Sequence, residues 1–271
     1  MLKFQVLFRA CEKDRRGSTP RPFRLNKVQT IKLCFYNLYK IMEKHNCKFT
    51  IIGDDLSQEM LDFFEQFDVV IDNKIMNSAS KSLQKQIDLA LKIPDDEWIY
   101  MCEDDYLHVG HAFDYISEFI NNKQEYLETS GDKKNYMNRI IGNLNEKPLV
   151  VFPPDYPEAY FPFWKRLSFV FMSKHCHWRQ VTNSTHTFLL QAKTVKQFEK
   201  QISASAVGPS DDKLAESYGR ILFRNKMLCV SPIKGLSTHM TKGVTPVMTP
   251  FVDWEEVYQI NVNELKNSGL W

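Results

Sequence analysis

No Cys-x-x-Cys pair, no uninterrupted apolar run of membrane-spanning length and no surplus of one charge sign occur in these 271 residues. Each absence excludes something. The six cysteines (Cys11, Cys34, Cys47, Cys102, Cys176, Cys229) are scattered, which removes paired-thiolate metal sites and fits free thiols in a reducing compartment. Apolar stretches stop well short of the ~18 residues that a helical span needs, so no transmembrane segment is expected, and contact with a membrane surface stays open. The opening MLKFQVLFRACEKDRR is a short apolar run broken by Lys3 and Gln5. It reads as a strand rather than a signal peptide, and the expected location is cytoplasmic. Lys plus Arg number 35 against 33 for Asp plus Glu, a net +2, so the basic excess of a nucleic-acid binder is missing and no nucleic-acid partner is expected. Internal repeats and low-complexity segments are absent too. What is present, 43% hydrophobic and 25% charged residues, is the composition of a globular chain, long enough for one α/β domain with a core of ordinary density.

Strand-like and helix-like segments alternate through the first hundred residues. Phe4 to Phe8 is an apolar run ending in Arg9, followed by a polar loop from Cys11 to Lys27. Ile31, Phe35, Leu38 and Met42 recur at helical spacing. Phe49 to Ile52 is a second strand ending at Gly53-Asp54-Asp55, Ser57 caps a helix to about Gln66, and Val69 to Ile71 is a third strand. Leu83, Ile87 and Leu91 share one helix face, and Trp98 to Cys102 is a fourth strand. This rhythm predicts a mainly parallel sheet flanked by helices, with ligands beyond the carboxyl ends of the strands. Three of those ends carry Arg9, Asp54-Asp55 and Glu103-Asp104-Asp105. The second half is less regular: helices are expected over 111–122, 194–203 and 211–225, with short strands at 149–152, 167–172, 187–190 and 227–230.

Three consecutive acids at a buried strand end repel one another unless a cation or a proton relieves them. Carboxylates so placed suit Mg²⁺ or Mn²⁺, which take oxygen ligands and share them with phosphates. A solvated acidic turn capping the next helix explains the same residues.

The run from Trp98 to His108, with Glu103-Asp104-Asp105 at its centre, resembles the strand-then-acid DXD segment of GT-A-type glycosyltransferases. Ser210-Asp211-Asp212 resembles the xED element of that family, and Gly235-Leu-Ser-Thr-His239 its carboxyl-terminal metal-binding histidine. The resemblance covers about residues 1–245, as a nucleotide-binding half (1–110) and an acceptor half (111–245), a smaller subregion, with 246–271 as a C-terminal extension. It implies a GT-A-like, Rossmann-like α/β fold. The implied activity is transfer of a sugar from a nucleotide-diphosphate donor to a hydroxyl acceptor, a glycan or similar. Asp105, Glu103 and His239 would hold Mn²⁺ or Mg²⁺, and Glu103 or Asp104 would contact ribose. Asp212 or Asp211 would take the acceptor proton in an inverting reaction. Asp stands where the family often has Glu, which leaves open which of the two is the base. Ser210 as helix cap with acids in the first turn accounts for the same three residues structurally.

Arg9 and Asp54 or Asp55 occupy the strand ends where the family holds base and ribose, though Asp54-Asp55 also suits a plain turn. Arg15, Arg16, Arg21 and Arg24 offer phosphate clamps or a solvated basic loop. Ser80 and Lys81 open a helix whose N-terminus can face a diphosphate. Asp155, Tyr156 and Trp164 lie in an aromatic, proline-bounded stretch that suits an acceptor wall, with core packing the competing account. His175-Cys176-His177 lacks a second ligand pair and reads as an ordinary loop. Two other functions stay open: a non-catalytic nucleotide- or glycan-binding module on the same fold, and a sugar nucleotidyltransferase. The second lacks a Gly-rich basic loop after the first strand.

Overall fold

The computed structural model describes residues 2–14, 20–128, 143–156, 168–208, 211–218, 226–241, 249 and 251–271, without the side chains of residues 211 and 212. Its first half runs β1 (Lys3–Ala10), α1 (Lys27–Met42), β2 (Asn46–Asp54), α2 (Gln58–Phe64), β3 (Val70–Lys74), α3 (Ala79–Ala90) and β4 (Trp98–Glu103). Then come β5 (Tyr106–His108), α4 (Ala112–Tyr126), β6 (Leu149–Val151), β7 (Val170–Met172), β8 (His177–Gln180) and β9 (Phe188–Gln191). The chain closes with α5 (Ala192–Gln197), α6 (Glu199–Ala206), α7 (Asp211–Tyr218), β10 (Leu228–Ile233), β11 (Ser237–His239) and α8 (Trp254–Asn267).

Among the described residues, nine strands form one sheet in the order β3-β2-β1-β4-β9-β6-β10-β8-β7. β1 to β4 are mutually parallel and β6 and β10 continue in their direction, whereas β9 and β8 run against it. The expected mainly parallel α/β sheet is therefore the observed one. Strands of the second half extend the same sheet as those of the first.

Alternation along the central strands feeds both faces. Phe4, Val6 and Phe8 of β1 and Trp98, Tyr100 and Cys102 of β4 join α1, α2, α4 and α8 in one core. Leu7, Ile99 and Met101 point the other way and join α3, α5, α6 and α7. Phe35, fully buried, meets Phe8, Phe64 and Phe67 edge-on at 5.6, 4.9 and 4.9 Å, a favoured aromatic geometry. Of the expected extension 246–271, α8 lies on α1: its Trp254, Val262 and Leu265 are buried in the first core, and Tyr36 bonds Glu264 while Asn37 bonds Asn261.

Some local expectations are corrected. α1 begins at Lys27, four residues before the apolar stripe, because Asn26 and Gln29 form a reciprocal capping box. The helix expected over 194–203 is two helices, broken at Phe198, whose φ of −114° and ψ of 23° leave the helical region. β5, β8 and β11, of three or four residues each, are too short to show a period-2 pattern. Ser57 caps α2 as expected, accepting from the Met60 amide. His177, expected in a loop, opens β8.

The short pairing of β5 with β11 joins two distant stretches of chain and sets Tyr106 opposite His239. The approach to β11 is crowded at Gly235, where a Cβ would lie 2.3 Å from Thr249 Cγ2 and 2.9 Å from the Asp155 amide nitrogen. Gly235→Ala is therefore expected to destabilise the chain by about 1–3 kcal/mol, the usual range for overpacking, measurable by denaturant titration; an unchanged midpoint would show that the segment gives way freely.

Candidate functional site

A cleft of about 920 Å³ opens beyond the carboxyl ends of β1, β2 and β4, the place where parallel sheets bind ligands. Arg9, Asp54, Ser80, Glu103, Asp104, Asp105 and His239 all line it, with Lys13, Arg21, Lys27, Tyr106, Thr185 and His186. Residues from widely separated stretches thus converge.

Each acid of the 103–105 triplet has its own cation. Glu103 Oε1 accepts from Arg9 Nη2 at 2.7 Å, and its other oxygen faces the Thr187 hydroxyl at 3.4 Å. Asp104, only 6% exposed, accepts from Lys27 Nζ at 2.5 Å and from the Cys11 amide at 2.9 Å. Burial pushes the Asp104 carboxyl up, with Lys27 opposing. Burial works against the Lys27 ammonium as well, yet Asp104 and Asp105 outweigh it and raise its pKa. Asp105 Oδ2 lies 3.0 Å from His239 Nε2. Burial resists charging at both groups, but their attraction prevails: Asp105 is held below the usual carboxylate range and His239 is raised to about 9.

The His239 ring stacks flat on Tyr106, with centroids 5.0 Å apart and planes 9° apart. The Tyr106 hydroxyl meets Thr185 Oγ1 at 2.7 Å and the Tyr156 hydroxyl at 3.0 Å. Tyr106→Phe keeps the stack and loses both hydroxyl contacts. Its expected cost is about 1 kcal/mol of stability, read from a denaturation curve, and a loss several times larger would mean that the hydroxyl network organises the cleft.

The remaining expected site residues divide. Asp54, 5% exposed, accepts from the Met76, Asn77 and Ser78 amides at 2.7, 2.8 and 3.3 Å. Its carboxylate thereby shapes the loop that leads into α3. Asp55 pairs with Lys13 at 2.6 Å and is not part of the cleft wall. Ser80 is in the wall; Lys81 is not, and its amide donates to the Ser78 cap. Asp155, expected on an acceptor surface, is fully buried and ion-paired with Arg179 at 2.6 Å. The cause is local: Pro153, Pro154 and Asp155 are buried, and Arg179 of β8 supplies a charge that makes a buried carboxylate tolerable. Tyr156, half-buried, stacks on Phe152 and meets the cleft-lining Tyr106 through its hydroxyl. Trp164, Arg15, Arg16 and Ser210 lie outside the described residues, as do the side chains of Asp211 and Asp212; α7 itself packs Leu214 and Tyr218 into the second core.

Lys27, like Lys13, Thr185 and His186, is a cleft residue that the sequence pattern does not single out. It is the first helical residue of α1, where the helix dipole disfavours a cation. A lysine at that position without an acid in the first turn signals an external anionic partner, here Asp104. Arg21, already considered for phosphate, also lines the cleft and forks onto Asp14.

No family model matches the chain, and no curated protein matches it. Its likenesses are to solved structures. One is S. aureus TarS 1-349 in complex with UDP-GlcNAc, with 11% identity and a TM-score of 0.48 over 98% of this chain and 67% of that one. Another is a nucleotidyl transferase from Methanothermobacter thermautotroptrophicus, with 9% identity and a TM-score of 0.49 over 97% and 99%. A third is CMP:2-keto-3-deoxy-manno-octonic acid synthetase complexed with CTP, with 11% identity and a TM-score of 0.42 over 97% and 100%. These values assign no residue a role. Among the described residues, no helix is long and apolar enough to cross a membrane.

The donor set bears directly on a metal. No group of three or more His, Cys, Asp or Glu among the described residues is gathered closely enough to hold an ion unaided. Asp105 offers an oxygen and His239, once an incoming ion displaces the proton from its imidazole, a nitrogen beside it. Two such ligands fit a Mg²⁺ or Mn²⁺ that takes the rest of its shell from substrate phosphates and water. Glu103, also expected as a ligand, has its carboxylate on Arg9 instead.

Proposed function

We propose that this chain is a GT-A-type glycosyltransferase that moves a sugar from a nucleotide-diphosphate donor to a hydroxyl acceptor, with Mn²⁺ or Mg²⁺ assistance. One observation carries the reading: Asp105 and His239, 134 residues apart, meet at 3.0 Å on the wall of a cleft at the strand ends, beside the cations Lys27 and Arg21. The sequence resemblance of the 103–105, 210–212 and 235–239 segments points the same way.

In this reading Asp105 and His239 hold the ion, which when bound neutralises charge developing on the departing diphosphate. Lys27 and Arg21, paired with Asp104 and Asp14, line the same cleft and add N–H donors for phosphate oxygens. Arg9 holds Glu103 in place for a ribose hydroxyl, and Asp54 keeps the turn before α3 in shape so that Ser80 and the helix N-terminus face the phosphates. Tyr106 fixes the plane of the His239 ring. Asp212 or Asp211 takes the acceptor proton, giving inversion at the anomeric carbon. The carbohydrate or other hydroxyl acceptor binds on the side of Tyr156 and Trp164. Charge balance and sequence make no provision for nucleic acid, and a cytoplasmic setting belongs to the same reading.

The test is product identity. With Mn²⁺ and a panel of UDP-, GDP- and dTDP-sugars, the expected product is a nucleoside diphosphate, released slowly to water and faster with acceptor. Pyrophosphate release from a nucleoside triphosphate and a sugar phosphate would instead make the chain a nucleotidyltransferase. Saturable donor binding with no product under any condition would make it a binding module.

A further inference from the structure

A second cavity, of about 290 Å³, lies at the other end of the sheet. Trp98 and Leu149, the first residues of β4 and β6, line it together with Gln191, the last residue of β9 and the register partner of Trp98. It shares no residue with the cleft.

Three lysines line this cavity: Lys123 from α4, Lys147 just before β6, and Lys193 from α5. The acid in the same wall, Glu146, is exposed and accepts from Asn143 Nδ2 at 2.8 Å. Lys123 Nζ donates to the carbonyls of Asn145 and Lys147, both at 3.0 Å. An ammonium has three protons, so these two bonds fix its position and leave one proton for a further acceptor. Lys193 makes no ion pair among the described residues. Burial, with the Lys193 charge as second cause, lowers Lys123 to about 8. The cavity wall above the strand ends therefore carries clustered positive charge, and an anion there would relieve both desolvation and repulsion. The recess falls just below the roughly 300–1,000 Å³ typical of drug-sized ligand sites, which suits a small ligand rather than a nucleotide sugar.

We propose that this cavity is a second ligand site, taking a small phosphate-bearing anion between Lys123 and Lys193, with Lys147 and Thr194 completing the wall. Inorganic phosphate and a phosphate monoester share the chemistry, and pyridoxal 5′-phosphate serves as the monoester probe because its aldehyde also reports on a nearby amine.

The experiment uses the whole chain. Inorganic phosphate is titrated calorimetrically into the wild type and Lys193→Ala, a change at an exposed position on α5. In parallel, pyridoxal 5′-phosphate is added, trapped with borohydride and mapped by peptide mass spectrometry. The expected result is saturable phosphate binding weakened about tenfold or more by Lys193→Ala, the loss of one charged hydrogen bond. Lys123 is expected to be the labelled lysine in the wild type, with labelling suppressed by phosphate and reduced in Lys193→Ala. Label at Lys123 with no phosphate effect would reduce the site to a reactive amine and overturn the proposal. Equal phosphate affinity in the two proteins, or label confined to lysines outside the cavity, would overturn it as well. Lys123→Met gives a second readout: it is expected to abolish phosphate binding, and retained binding would contradict the assignment.

Discussion

Asp105→Asn is expected to lower donor turnover by about two to three orders of magnitude, as loss of one preorganised electrostatic contact to the reacting groups does, while the sheet stays folded. The asparagine keeps the size of the side chain and loses the charge. Without that charge the pair with His239, now at 3.0 Å, no longer presents an anionic oxygen beside an imidazole nitrogen, and a hard divalent ion loses its only carboxylate at the expected coordination point. Asp105 is not among the buried residues of either core. Asp105 is a rim residue whose backbone carbonyl, which accepts from the Met240 amide at 2.7 Å, is untouched by the change. Nucleoside diphosphate release in Mn²⁺ measures the effect, and circular dichroism with a melting curve checks the fold. Full turnover by the variant in the presence of chelator would remove Asp105 from the mechanism.

Asp155→Asn is expected to act on stability alone. The carboxylate is fully buried and its partner Arg179 nearly so, 2.6 Å apart. Removing one charge of a buried ion pair costs about 3–5 kcal/mol. At about 2–4 °C per kcal/mol for domains of this size, the melting temperature should fall by roughly 10 °C. Removing both charges, as Asp155→Asn with Arg179→Gln, should recover a large part of that loss. Activity per folded molecule and the acceptor KM should be unchanged. A variant of normal stability with a raised acceptor KM would return Asp155 to the acceptor surface.

These two aspartates show how far the sequence can be read. Asp105 is legible because strand-then-acid is a local pattern, and the α/β rhythm that places it beyond a sheet edge is carried by runs of residues in β1 through β4. Its partner His239 is legible only through resemblance, since the pairing of β5 with β11 that joins them rests on two three-residue strands. Asp155 is misplaced by sequence because a loop rich in proline and aromatics looks the same whether it faces water or core. The deciding charge, Arg179, is contributed from a strand 24 residues further on. Sequence turns Arg9 and Glu103 each outward to a ligand, whereas parallel registry between β1 and β4 sets them opposite one another. Asp54 likewise turns to amides of the chain itself. Lys27 leaves a trace, a cation at a helix N-terminus, but its meaning depends on α1 beginning beside the end of β4. Local periodicity reports elements well; which charges neutralise each other is a property of tertiary placement.

The proposed role of the cleft as a nucleotide-diphosphate pocket is tested most directly by thermal shift of the intact chain against UDP, GDP and dTDP and their sugars, with and without Mn²⁺. A ligand that binds only the folded state raises the melting temperature by mass action, about 2.7 kcal/mol at a hundredfold excess over Kd. The expected result is a shift with one nucleobase, larger with Mn²⁺, and without Mn²⁺ enhancement in Asp105→Asn. A melting temperature indifferent to every nucleotide, metal present or absent, would contradict it.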